Sequence, residues 1–134
     1  MSSALDTSAK DASGVVAGAP ARLLRLEGAA LLAGSLLAYT TTGRSWWLLP
    51  LTFLFPDFSW LGYLAGTKVG ARSYNLAHIT PLPGALIAVG WWQNTSLAVA
   101  LGLIWLAHIG LDRMLGYGLK YGDDFQHTHL SGKA

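Results

Sequence analysis

Glu27, Asp57, His78, His108 and Asp112 are ionisable side chains set inside stretches that are otherwise almost purely apolar, with Asn75 as a neutral companion. In a membrane-spanning segment such groups are costly, so their presence is a functional hypothesis by default. Spacing sharpens it. Asn75 and His78 stand three positions apart and His108 and Asp112 four apart, so each pair projects from one face of a helix. Two helices that each offer a histidine and an oxygen donor, with Asp57 on a third, make an N2O2-type set. Asp57, His78, His108 and Asp112 are therefore read as metal ligands for a divalent ion, Zn, Mn or Fe, with positions left for water. Water made acidic by such an ion is the natural nucleophile. Glu27 then serves as base or supporting group, and Asn75 and His129 as supporting donors.

The same residues also have a non-catalytic reading. His108 and Asp112 can neutralise each other within one helix, and Arg113 can pair with Asp112, Asp57 or Glu27. Polar pairs between spans often act as helix-to-helix glue worth about 0.6 kcal/mol. A bis-histidine haem between His78 and His108 is a further arrangement, made less attractive by the carboxylates beside it. Other chemistries are excluded. The chain has no cysteine, hence no thiolate site, and it lacks a phosphate-binding Gly-rich loop, a GxSxG elbow and a CxxCH haem attachment.

The elements that must position these groups follow from composition. Hydrophobic residues make up 52% of the 134-residue chain and charged residues 12%, against about a quarter charged in a soluble domain. Residues 1–20 are small and polar and read as a disordered cytoplasmic tail. Residues 21–116 read as an all-α integral membrane four-helix bundle, up-down-up-down, with spans at about 23–41, 46–66, 73–92 and 96–114. Residues 117–134 read as a cytoplasmic interfacial segment that carries His127 and His129. Pro50, Pro56, Pro81 and Pro83 are expected to kink the second and third spans. In this arrangement every ionisable group falls at one level, and the far half is nearly purely apolar.

Arg22, Arg25, Lys68, Arg72, Arg113 and Lys120 lie on the side of both termini and Arg44 on the other. Positive residues stay inside, so both termini are expected in the cytoplasm of a multi-pass protein. The net charge of +2 is spread over helix ends rather than one stripe, which argues against nucleic-acid binding. Membrane lipids are the expected partners, together with a homo-oligomer or a larger membrane complex.

With these residues in view, the chain resembles a bacterial family of unknown function, number 4260 among such domains. The resemblance covers residues 23–132 and rests on LLRLEG (23–28), FPDFSWLGYLAG (55–66), GARSYNLAH (70–78), LAHIGLDRMLGYGLKY (106–121) and THLSG (128–132). It implies a compact four-span protein of the bacterial inner membrane, without an assigned activity. Pro56-Asp57, His78 and the His108/Asp112 pair are more weakly similar to small membrane-bound metal-dependent hydrolases. Those carry a second acid where this chain has Ser59, and an Arg and a further His around the first His where it has Tyr74-Asn75 and His78 alone. The functional expectation is a metal-dependent hydrolase acting on a lipid or other amphiphile at the cytoplasmic leaflet. The alternative is a non-catalytic membrane subunit or hydrophobic-cofactor binder, and a proton-coupled carrier ranks last.

Overall fold

A computed structural model describes residues 16–119; the tail expected at the N-terminus up to residue 15, and Lys120, His127 and His129, lie outside the described residues. All the regular structure among the described residues is helical. Helix α1 spans Gly18–Tyr39 and tightens into a 3-10 turn at Thr40–Thr42. The hydroxyls of Thr40, Thr41 and Thr42 donate to the carbonyls of Leu37, Ala38 and Tyr39, at 2.6, 2.6 and 2.8 Å. Gly43, at φ +68°, then ends the run. A short α2, Leu48–Thr52, leads into an eleven-residue 3-10 segment, Phe55–Ala65. Helix α3 is Thr67–Ala77, α4 Pro81–Trp92 and α5 Ser96–Leu115.

Three stretches are long and apolar enough to cross a membrane, Gly18–Thr42, Leu48–Ala65 and Ser96–Leu115. The expected third span differs. Instead of one helix over 73–92 there are two, α3 and α4, separated at His78, where φ −118° and ψ 16° leave the helical region. The expected kinks are thereby relocated. Pro81 and Pro83 do not bend a continuous helix but open a new one. Their missing N–H groups fall in a first turn, where backbone donors have no intrahelical acceptor in any case. The cost is borne by the carbonyls upstream. Helix α4 alone is about 18 Å long at 1.5 Å per residue, short of the roughly 30 Å hydrocarbon core.

Helix α5 is the hub. It packs along α1 and α4 and touches α2, while α3 lies against the 3-10 segment. Tyr39, Ala100, Leu103 and Ile104 form the buried apolar core, with Phe53, Ile87 and Val99 against it. The α1–α5 crossing is set by glycines. A Cβ on Gly28 would fall 2.6 Å from the Met114 nitrogen, and one on Gly110 2.6 Å from the Leu32 nitrogen. Close backbone approach of this kind is how small residues hold helices together where apolar burial gives no net drive.

Candidate metal centre

His78 is the last residue to close on α3, its N–H donating to the Asn75 carbonyl at 3.0 Å. The helix stops there, and two long side chains take over the carbonyls left open. Trp105 Nε1 donates to the Ala77 carbonyl, which Pro81 cannot serve for want of an N–H. Arg113 Nη2 donates to the His78 carbonyl at 3.3 Å. Irregular backbone at membrane depth is tolerated only where protein groups satisfy it in this way. His108 sits three turns into α5 and is almost fully buried. Asp112 follows one turn later, just before a Schellman ending. Gly116, at φ +91°, lets the Tyr117 N–H reach the Asp112 carbonyl at 2.7 Å and its own N–H the Arg113 carbonyl at 3.1 Å. Asp57 comes from the first turn of the 3-10 segment.

Three elements far apart in sequence thus converge on one point. His108 Nε2 lies 3.1 Å from Asp57 Oδ1 and 3.2 Å from Asp112 Oδ2. His78 Nε2 lies 3.3 Å from Asp57 Oδ1 and 3.4 Å from Asp112 Oδ2. The two Nε2 atoms are 3.3 Å apart. One ligand atom from each of the four residues falls within 4.8 Å of all the others. A regular tetrahedron with ligands about 2.0–2.1 Å from a central ion has edges of about 3.3–3.4 Å. Five of the six edges here are close to that length.

The protonation chemistry points the same way. His78 Nδ1 is 2.7 Å from the Tyr74 carbonyl, and a carbonyl only accepts, so Nδ1 carries the ring proton. In the neutral ring Nε2 is then a lone pair facing another imidazole nitrogen and two carboxylates. Were both rings protonated, two N–H groups would face each other at 3.3 Å. Asp112 Oδ2 is buried and makes no well-formed hydrogen bond although two nitrogens stand beside it. The His78 lone pair and two carboxylates directed at a shared point, with the remote ring N–H of that histidine held by a carbonyl, are what a cation site requires. His108 is held by packing instead. Its Nδ1 makes no well-formed hydrogen bond, and the Phe53 ring tilts against it at a centroid distance of 5.2 Å. The Tyr74 ring stacks on His78 at 3.8 Å and 10°.

The four residues read as metal ligands from the sequence are the four brought together. The supporting residues fare differently. Glu27 is exposed on α1 and stands outside the cluster. Asn75 sits one turn before His78 on α3, half-buried, and contributes the carbonyl that closes the last turn. His129 lies outside the described residues. A haem between His78 and His108 does not fit, because the oxygens of Asp57 and Asp112 occupy the space beside the two nitrogens that a macrocycle would need. Tyr74, Trp105 and the backbone role of Arg113 escaped the sequence reading. The one available signal was the proline at position 81, which orphans the Ala77 carbonyl and calls for a donor.

The fold and site together define a helical protein with three stretches long and apolar enough to cross a membrane and a largely buried cluster able to hold a metal ion. The chain belongs to the family described as Domain of unknown function (DUF4260), whose model matches residues 21–132. No curated protein and no solved structure matches it significantly.

Proposed function

We propose that this is a multi-pass protein of the bacterial inner membrane whose Asp57–His78–His108–Asp112 centre binds a divalent metal and hydrolyses a lipid or other amphiphile at the cytoplasmic face. The observation that carries the reading is the near-tetrahedral disposition of two imidazole nitrogens and two carboxylate oxygens, five of whose edges measure 3.1–3.4 Å. No matching protein stands behind the hydrolase similarity, so the reading rests on the site. In the proposed topology α1, the α2/3-10 stretch and α5 each cross the membrane. The broken α3–α4 pair completes the up-down order and leaves both termini in the cytoplasm.

A divalent ion held here supplies Lewis acidity and lowers the pKa of water. The chain's own residues do the rest. His78 and His108 are buried and fixed by a carbonyl and by aromatic packing, so they hold position. Asp57 is the most accessible member, its side chain 43% exposed against 19% for Asp112. Swinging one carboxylate aside opens a coordination position without disturbing the other three ligands. In hydrolysis the water oxygen bonds to the acyl or phosphoryl centre and the ester bond to the leaving oxygen breaks. The water proton passes to that oxygen through the second carboxylate oxygen of Asp57, a task that the exposed Glu27 is less well placed to perform.

A second reading has its own support. Four protein ligands are the signature of structural rather than catalytic zinc sites. The ion would then staple the 3-10 segment, α3 and α5 together in a non-catalytic subunit.

Metal analysis of detergent-purified protein tests both. Near-stoichiometric metal in the wild type and its loss in His108→Ala is the expected result, and a wild type that neither copurifies with nor takes up metal refutes them together. Asp57→Asn separates the two: a catalytic centre loses ester turnover while keeping metal, whereas a structural staple shows no turnover in either form.

A further inference from the structure

A groove of about 570 Å³ lies between the 3-10 segment, α4 and α5, a size typical of small-molecule sites. Phe55, Phe58, Leu86 and Leu101 form its walls. Its few polar groups are already engaged. The Thr52 hydroxyl donates to the Leu48 carbonyl and the Ser59 hydroxyl to the Pro56 carbonyl, both at 2.7 Å. The indole N–H of Trp105 is taken by the Ala77 carbonyl. The side-chain donors lining the groove are therefore spent, and burying a polar ligand there would cost hydrogen bonds with water. The lining suits a hydrocarbon.

None of the four ligands lines the groove, but three of its lining residues, Pro56, Ala77 and Trp105, are their near neighbours along the chain. Pro56 immediately precedes Asp57 and Ala77 immediately precedes His78, one Cα step of about 3.8 Å in each case. Trp105 lies three residues before His108, on the same face of α5. All three elements that supply ligands thus supply groove lining directly beside those ligands.

We propose that this groove seats the hydrocarbon chain of the amphiphile whose polar head reaches the Asp57–His78–His108–Asp112 centre. The proposal rests on the metal-centre reading and adds to it the substrate class: a molecule with an acyl or alkyl chain joined to a hydrolysable head. The chain enters from the bilayer beside the 3-10 segment, which exposes Phe55 and Phe58 at the surface. The protein then needs no water-filled access route for the apolar part of its substrate.

Alkyl hydroxamates test this, because their head chelates a metal while their tail length can be varied. Cobalt-loaded protein in detergent is titrated with the two-carbon and the twelve-carbon hydroxamate, and the visible cobalt band reports head binding. The titrations are repeated on Leu101→Trp and Leu86→Trp, which fill the groove from opposite walls, and on Leu82→Trp, which does not line it. Comparing each probe across variants cancels its partition into the micelle. In the two filled variants the twelve-carbon probe should weaken by about tenfold or more and the two-carbon probe by less than about twofold, as expected when a fitted apolar pocket is blocked. Leu82→Trp should bind both as the wild type does. Equal losses on both probes, or none, would overturn the groove proposal alone, the chain being held only by detergent or adventitious lipid. A wild type that shows no cobalt band overturns the metal reading and this proposal with it.

Discussion

The two ends of the bundle both carry polar groups but dispose them in opposite ways. At the end formed by Tyr39–Ser45 and Ser96, donors are paired with acceptors. The Tyr39 hydroxyl donates to the Ser45 carbonyl at 2.7 Å, Arg44 Nε donates to the Ser96 hydroxyl at 3.0 Å, and three threonines bond back to their own helix. At the other end, two imidazole nitrogens and two carboxylate oxygens face one another, and one buried oxygen goes unserved. The first arrangement is complete in itself. The second has an excess of acceptors, and an excess of buried acceptors is destabilising unless something positive joins them. Polarity alone therefore does not mark a site; an imbalance between donors and acceptors does.

Removing a ligand attacks that contrast most directly. His108→Ala should lower metal affinity by more than about a hundredfold, beyond the 10–100-fold that is usual for groups supporting a ligand. Metal should also stabilise the wild type in thermal unfolding, by about 2.7 kcal/mol at a hundredfold excess over Kd, and this gain should vanish in the variant. A variant that kept the gain would show that the four donors do not act as one site.

Trp105→Phe tests the support beneath the site. It removes the indole donor from the Ala77 carbonyl at the break where His78 is placed, while keeping an aromatic ring in the groove wall. Metal affinity should fall by about tenfold, read by competition with a chromophoric chelator. An unchanged affinity would mean that the break is held without Trp105.

The reach of the sequence differed between ligands and supports for a physical reason. Asp57, His78, His108 and Asp112 were legible because hydrophobic spans fix the depth of a residue, and spacing along one helix fixes which residues share a face. Rotation about the helix axis is not fixed by depth. Glu27 has the right level, but Gly28, Ser35 and Tyr39 are the buried positions of α1, and a neighbour of Gly28 is turned by about 100° away from that face. The third span was misjudged because length and apolarity cannot distinguish a kinked helix from two helices. That outcome depends on whether Trp105 and Arg113 arrive to satisfy the freed carbonyls, which is a tertiary fact. Trp105 itself reads as one more apolar residue in α5 until its partner is seen.

At the balanced end the expected effects are on stability and not on metal. Tyr39→Phe removes a nearly fully buried hydroxyl's bond to the Ser45 carbonyl. It should cost about 1 kcal/mol of stability in a denaturation assay while metal content stays at the wild-type level. A loss of metal would show that the two ends are coupled through α1 and α5.

The smallest effect belongs to Arg44→Ala. Arg44 and Ser96 are both exposed, and exposed charged contacts contribute about 0–1 kcal/mol, with side-chain entropy offsetting most of the gain. Stability should therefore fall by less than about 0.5 kcal/mol, and metal content should not change. The substitution also bears on orientation. Arg44 is the one basic residue assigned to the outer side, so removing it strengthens the inward bias of the rest. Because the chain has no cysteine, the single substitution Thr42→Cys can be labelled with a membrane-impermeant maleimide in intact cells. Labelling should be equal whether or not Arg44→Ala is also present. If instead the label were excluded in both, this end would face the cytoplasm, and the metal centre would have to be reached by substrates from the opposite leaflet.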